Sequence, residues 1–283
     1  MRKYYIMMLI SSLYIAFAML SSCDKDDMRP DDMKRDFAEA AVMHTEAMEV
    51  CLEAIRKADT NDPATLLKIV EETATRYVVQ NPELSQYQNL GEKALKEEIK
   101  RLYAFRKMVK DPTYKGEYTY NDFLLYTVHG HVEDLSEAQY NLLLTVNDIM
   151  FSNNTADEIV PMLTQILDVD CLTLPEEERY VLYAVTTIGI ETVNYWSENM
   201  YDWIEAITDG DPDKMAHMSK WFNWGSVAGS DIAGAIGGAI GGAITGSFAG
   251  GIGAGPGALA GGIGGAIGVS VTDASMQVID HFF

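Results

Sequence analysis

Apolar residues recur three or four positions apart along most of the chain between residues 37 and 225, which is the spacing of one buried face of an α-helix. No segment alternates polar and apolar residues for long, as a half-buried strand does. The pattern therefore predicts an all-α fold, an irregular bundle of seven to nine helices. The first predicted helix covers 37–55, and its apolar face consists of Phe37, Ala41, His44, Met48, Cys51 and Ile55.

Helix start signals divide this region. Asp62 precedes Pro63, which is the order of an N-cap acid followed by proline at the first helical position. Pro175 begins a long helix that we expect to extend to about residue 207, and Asp211 with Pro212 begins a last one that ends near residue 224. Two further starts have capping-box spacing, namely Ser136 with Gln139 and Thr155 with Glu158.

The final apolar region, residues 232–272, contains no acidic, basic or histidine residue, and sixteen of its 41 residues are glycine. Large side chains and glycines each recur every four positions, so a helix with this sequence carries one ridge and one flat glycine face. We predict a hairpin of two helices, 231–249 and 257–273, joined by a turn over 250–256. The glycines of this zipper are Gly234, Gly238, Gly242, Gly246, Gly250, Gly253, Gly257, Gly261 and Gly265.

A flat glycine face allows two helix backbones to approach closely, where dispersion and weak Cα–H···O contacts accumulate. In water each glycine costs roughly 1 kcal/mol of helix stability against alanine, so packing or lipid must enforce these helices. Helices of 19 and 17 residues are about 29 and 26 Å long, close to the hydrocarbon thickness of a bilayer. The segment is therefore either a membrane hairpin or a buried core element.

The N-terminus has the order of a secretory signal. Arg2 and Lys3 precede the uncharged and mostly apolar residues 4–22. Cys23 follows Leu20-Ser21-Ser22 directly, and this sequence resembles the lipobox of bacterial lipoproteins. The resemblance implies that the signal is cut before Cys23, which then carries the lipid.

The residues after the cysteine extend this resemblance. Lys25, Asp26 and Asp27 look like the export signal that carries Bacteroidota lipoproteins to the outer surface. The implied location is the outer membrane, with a lipid anchor and exposure at the cell surface. The expected organisation is a signal peptide over 1–22, a lipidated acidic tether over 23–36, a helical domain over 37–225, the zipper hairpin over 226–275 and a tail over 276–283.

Charge and motifs exclude several functions. A formal net charge of −21 argues against nucleic acid as a partner, because phosphate binding requires basic surface. His129 and His131 lie two positions apart and do not share a helix face, so we predict no metal site and no cofactor. No catalytic signature occurs, and we do not expect an enzyme. Cys51 and Cys171 either form one disulfide or remain buried thiols.

All four tryptophans lie between residues 196 and 224. Trp221 and Trp224 are three positions apart, directly before the glycine-rich region. They belong either to an aromatic core or to an interfacial belt where a membrane segment begins.

The glycine repeat resembles the glycine zippers of small bacteriocins and contact-dependent toxins over about 40 residues, and the layout looks like that of pore-forming colicins. The resemblance implies a lipoprotein whose hairpin enters or assembles in a membrane, with lipid as partner and homo-oligomers formed through the zipper. A structural or interaction lipoprotein, whose hairpin packs permanently against its own bundle or a partner helix, is the alternative. An enzyme with an unrecognised site is the third class.

Overall fold

The computed structural model describes residues 30–282 except 59, 61, 86, 153, 219–222 and 249–252. These residues form an all-α fold, and none of them lies in a β-strand. Short 3₁₀ turns cover Pro82–Leu84 and Asp170–Thr173. The described α-helices are α1 (Pro30–Arg56), α2 (Pro63–Gln80), α3 (Gln88–Lys110), α4 (Phe123–Gly130), α5 (Glu137–Met150), α6 (Ala156–Asp168), α7 (Glu176–Thr208), α8 (Pro212–Met218), α9 (Trp224–Phe248) and α10 (Ala254–Phe282).

The predicted helix starts are confirmed where the sequence carried a cap. The Asp62 carboxylate accepts a hydrogen bond from the Thr65 backbone N–H at 2.9 Å, and Pro63 follows it. Helix α7 begins directly after Pro175 and ends at Asp209, which adopts a left-handed conformation with φ 55°. Both predicted capping boxes form, at the starts of α5 and α6.

The chain divides into two compact units at Asp36 and Phe37. In the first unit the structure describes only the opening turns of α1, where Arg35 lies 3.4 Å from Asp32 and 3.7 Å from Asp36. The second unit holds the rest of the chain. There the six residues of the predicted apolar face of α1, from Phe37 to Ile55, are all buried, which confirms the prediction of that face.

Helices α9 and α10 form the predicted C-terminal hairpin and lie at the centre of the second unit. They pack against each other along their length and against α3, α7, α2 and α4. Two segments are long and apolar enough to span a bilayer by length and composition, Trp224–Ser247 and Ala254–Gln277. In each segment 83% of an apolar stretch of 18 residues is buried.

Some boundaries differ from the expectations. The described part of α8 is Pro212–Met218, Asn223 lies outside any helix, and Trp224 is the first residue of α9, so the predicted helix does not extend to residue 224. Helix α9 begins at Trp224, before the predicted start at residue 231. Helix α10 covers Ala254–Phe282, beyond the predicted 257–273, and includes most of the predicted tail. Cys51 and Cys171 are both buried free thiols, which settles the choice between a disulfide and two thiols.

The zipper hairpin as the candidate functional site

The two hairpin helices meet through their glycines. A Cβ added at Gly238 would fall within 3.0 Å of the Gly261 carbonyl oxygen, and a Cβ at Gly261 would meet the Gly238 carbonyl in the same way. Any side chain at these positions would push the backbones apart. The antiparallel register aligns four glycine pairs, and the contact is mutual in three of them: Gly234 with Gly265, Gly238 with Gly261, and Gly242 with Gly257. In the fourth pair, beside the turn, a Cβ at Gly246 would meet the Gly253 carbonyl, but a Cβ at Gly253 would meet no atom of Gly246.

The second hairpin helix also approaches the bundle closely. A Cβ at Gly264 of α10 would fall within 3.0 Å of the backbone of Gly91 in α3. Gly268, one turn further, has Leu95 at a comparably short distance. Helix α10 is therefore held by backbone contact on two sides, against α9 and against α3.

The large residues of the period-four ridge face the bundle instead of the partner helix. A Cβ placed at Gly189 in α7 would lie 3.1 Å from the Cδ1 atom of Ile232. Burying these side chains keeps apolar surface from water, which is the main stabilising contribution available to so glycine-rich a segment. The ridge residues that are buried are Ile232, Ile236, Ile240, Leu259, Ile263, Ile267 and Val271.

A buried polar cluster lies at the open end of the hairpin, around Asp231. The Asp231 carboxylate accepts hydrogen bonds from the Thr192 hydroxyl and, at 3.0 Å, from the Trp196 indole N–H, both on α7. His44 Nε2 of α1 lies 3.6 Å from the same oxygen, and burial lowers the pKa of His44 to about 3. Asp231 thus ties α9 to α7 by hydrogen bonds, while His44 of α1 lies beside it without a hydrogen bond.

The other hairpin helix carries a second buried acid at the same end. Asp273 forms an ion pair with Arg106 of α3, and both side chains are at most 1% exposed. The Ser230 hydroxyl donates to Asp273 at 2.9 Å. Arg106 also donates to the Tyr120 carbonyl, and its guanidinium carbon lies 3.3 Å from the centroid of the Tyr120 ring. The base of the hairpin is therefore fixed by charge, while its body is held by apolar contact.

One ionisable side chain, Glu98 of α3, contacts the body of the hairpin. A Cβ at Gly237 would lie 2.5 Å from both carboxylate oxygens of Glu98, and one at Gly265 would lie 3.2 Å from its Cγ. Glu98 is 3% exposed, its Oε2 accepts no hydrogen bond from the described residues, and burial raises its pKa to about 7. This carboxyl fills the space that two glycines leave open.

The described residues at the opposite end of the hairpin, which we call its tip, are uncharged, and several of them reach the surface. Ile244 is 45% exposed, and Gly241 and Ser247 are also exposed. Gly253, which precedes α10, has φ 88°, a left-handed conformation that favours glycine, and its N–H donates to the Gly246 carbonyl at 3.2 Å. The hairpin thus has a polar, buried base and an apolar, accessible tip.

The structure places the other predicted site residues as follows. Trp224 is half-buried at the start of α9. His129 is the next-to-last residue of α4, and His131 lies in the turn after that helix. The described residues contain no group of three or more potential metal ligands from His, Cys, Asp and Glu. The predictions for Cys23, Lys25, Asp26, Asp27, Trp221 and Gly250 concern positions outside the described residues.

The sequence analysis missed the polar base. Asp231 and Asp273 directly flank the uncharged residues 232–272, and His44 lies on the predicted apolar face of α1. The burial of Arg106, which pairs with Asp273, became evident only from the structure. Comparison of the chain with protein-family models, curated proteins and solved structures found no match.

Neighbouring glycines test the zipper. Gly242 faces the Gly257 carbonyl, whereas a Cβ at Gly241 would have no neighbour within 4 Å. We expect Gly242→Ala to destabilise the fold by roughly 1–3 kcal/mol through overpacking. Gly241→Ala is the matched control and should stabilise it by up to about 1 kcal/mol through helix propensity. Urea unfolding of both variants measures this, and equal effects at the two positions would contradict the close approach.

Glu98 makes stability depend on pH. Because its pKa is about 7 in the folded chain and about 4.5 when unfolded, the folded state binds the extra proton between these values. Stability attributable to Glu98 is therefore present at pH 5 and lost as pH rises through 7, by up to about 3 kcal/mol.

We expect the difference in free energy of unfolding between Glu98→Gln and the parent chain to favour the variant more at pH 8 than at pH 5. Urea unfolding of both chains at the two pH values gives this difference. Burial lowers the pKa of His44, so its contribution to stability rises with pH, but it is the same in both chains and cancels. A difference that does not change with pH would show that the Glu98 carboxyl is not held in its neutral form.

Proposed function

We propose that the protein is a lipid-anchored protein of the cell envelope whose zipper hairpin is stored inside its own helical domain and enters a lipid bilayer. The observation that carries this proposal is the self-contained glycine pairing of α9 and α10. Because the four glycine pairs are internal to the hairpin, it can leave the bundle without losing them. A pair of separately buried helices would first have to find each other in the membrane.

The distribution of charge supports entry by the tip. Residues 232–272 carry no charged side chain, and the nearest acids, Asp231 and Asp273, both lie at the base. Charged side chains are costly in the hydrocarbon core. A hairpin that enters by its exposed tip moves none of them across, and both acids stay on the side from which it came.

The bundle supplies what the hairpin needs in water. Its helices α3 and α7 cover the apolar ridges, which lipid would cover in a bilayer. The net charge of −21 keeps the stored form soluble and disfavours binding to anionic lipid through simple attraction. Lipidation at Cys23 and export through Lys25, Asp26 and Asp27 would hold this form at the outer surface, where an antibacterial, pore-forming role toward a neighbouring cell fits its position.

A second candidate is a structural or interaction lipoprotein with a permanent hairpin. The observation that favours it is the buried Arg106–Asp273 ion pair, together with the backbone contact between Gly264 and Gly91. Separating a buried pair without replacing its partners is strongly destabilising. In this case the hairpin is the constant core of the domain, and function lies on the outer helices.

Two disulfide variants separate the candidates. A Cβ at Gly262 would lie 3.5 Å from the Ala239 Cβ in the same hairpin and 3.1 Å from the Ala184 Cβ in α7. Both pairs are close to disulfide distance, the second after a shift of a few tenths of an ångström. Gly262→Cys with Ala239→Cys staples the hairpin to itself, and Gly262→Cys with Ala184→Cys staples it to the bundle.

We expect the hairpin staple to leave dye release intact and the bundle staple to abolish it until a reductant is added. The assay uses residues 24–283 and dye-loaded vesicles of phosphatidylcholine and phosphatidylethanolamine, which carry no net charge to repel an acidic protein. Dye release by the oxidised bundle staple would contradict release of the hairpin. No release by the parent chain or either variant would favour the permanent hairpin.

Lipidation is tested independently. Because Cys23 follows a lipobox-like sequence, we expect a fatty-acid analogue to label the chain in cells and the label to disappear in Cys23→Ala. Cys51→Ala is the control and should keep the label, since this thiol is buried in the bundle. Equal labelling of the parent chain and Cys23→Ala would refute the lipoprotein assignment.

A further inference from the structure

A surface pocket of about 380 Å³ lies apart from the hairpin, where α3, the segment 111–122 and α4 meet. We call it the Arg101 pocket. Its volume is within the range of small-molecule sites and exceeds what an inorganic ion requires. Its lining consists of Arg101, Tyr118, Tyr126, Thr127, His129 and Gly130.

Two neighbouring side chains, His131 and Glu98, fix the position of the Arg101 guanidinium. Its Nη1 donates to His131 Nε2 at 2.5 Å, and its Nε lies 3.5 Å from Glu98 Oε2. His131 Nδ1 lies 2.9 Å from Asp134, to which it donates, so Nε2 is the accepting nitrogen. Burial lowers the pKa of His131, which favours this neutral tautomer. Nη2 is left without a hydrogen bond to any residue that the structure describes.

A second donor is fixed on the other side of the pocket. The Tyr118 hydroxyl lies 2.7 Å from His129 Nδ1, and when it donates there the imidazole proton lies on Nε2. The His129 ring also stacks on Tyr140, with ring centroids 6.4 Å apart and planes inclined by 28°. Within the described residues nothing accepts from this Nε2–H. Two nitrogen donors with supported positions therefore line one cavity.

The charge of Arg101 is only partly compensated. Glu98, its nearest acid, is buried against the uncharged Gly237 and Gly265 of the two hairpin helices. The charged groups that act on Glu98 are Arg101 and Glu97 of its own helix, and burial raises its pKa to about 7. Below that pH Glu98 is mostly neutral, and Arg101 presents its positive charge to the pocket.

We propose that the Arg101 pocket binds a small organic carboxylate, whose oxygens accept hydrogen bonds from Arg101 Nη2 and His129 Nε2 and whose ring lies against Tyr118 and Tyr126. The flat edge of a guanidinium matches the two oxygens of a carboxylate, and charge-assisted hydrogen bonds of this kind are the strong ones. The remaining cavity volume and the two phenol rings accommodate an apolar or ring-shaped body.

Calorimetric titration of the full chain in detergent tests this site, with benzoate as the probe and benzamide as its uncharged counterpart. We expect benzoate to bind and benzamide to bind at least ten-fold more weakly. Arg101→Gln should lower benzoate affinity at least ten-fold and His129→Gln several-fold. Arg179→Gln is the control, because Arg179 donates to the Leu174 and Leu172 carbonyls at the start of α7, and it should keep the parent affinity.

The pH dependence gives a readout that loss of folding does not imitate. As Glu98 ionises between pH 6 and pH 8 it competes for Arg101, so benzoate should bind more weakly at pH 8. In Glu98→Gln the affinity should change less over this range than in the parent chain, because only the contribution of Glu98 is removed. Equal binding of benzoate and benzamide, unchanged affinity in both Arg101→Gln and His129→Gln, or tighter binding of inorganic phosphate than of benzoate would overturn the proposal.

Discussion

The backbone contact between α9 and α10 is the constraint on which the rest of the second unit depends. At three levels, from Gly234 with Gly265 to Gly242 with Gly257, each helix leaves no room for a Cβ on the other. Because the two helices lie so close together, the hairpin is narrow, and both α3 and α7 pack against it. The glycines contribute little apolar area of their own, and the hairpin therefore depends on its isoleucine ridges and on the helices that cover them.

The polar base and the apolar body hold the hairpin in different ways. The body is held by contacts that lipid tails can replace, because they depend on apolar surface and on close approach. The base is held by Asp231 and Asp273 through hydrogen bonds and an ion pair with Arg106, which lipid tails cannot replace. Release of the hairpin therefore requires the base to rearrange or to remain where water and charged partners can reach it.

Sequence reasoning located the hairpin because its information is local. A period of four in Gly234, Gly238 and Gly242 specifies one face of one helix, whatever that helix packs against. The caps at Asp62 and Ser136 are local in the same sense, and these helix starts were found. Contacts between segments that are distant in the sequence leave no comparable pattern in it. Examples are the contact of Gly264 with Gly91 and the ion pair of Arg106 with Asp273, which are 167 positions apart. The Arg101 pocket likewise exists only because the segment 111–122 brings Tyr118 to His129.

Glu98 links the two regions for which we propose functions. One side of its carboxyl fills the space beside Gly237 and Gly265 in the hairpin, and the other lies 3.5 Å from the Arg101 Nε atom at the pocket. A ligand anion that draws the guanidinium toward itself weakens the support for an ionised Glu98. It therefore favours the neutral acid, which is the form that burial against bare glycine backbone prefers. By this reasoning an anion in the pocket and a proton on Glu98 bind cooperatively, and under the proposed function both favour the stored hairpin over the released one.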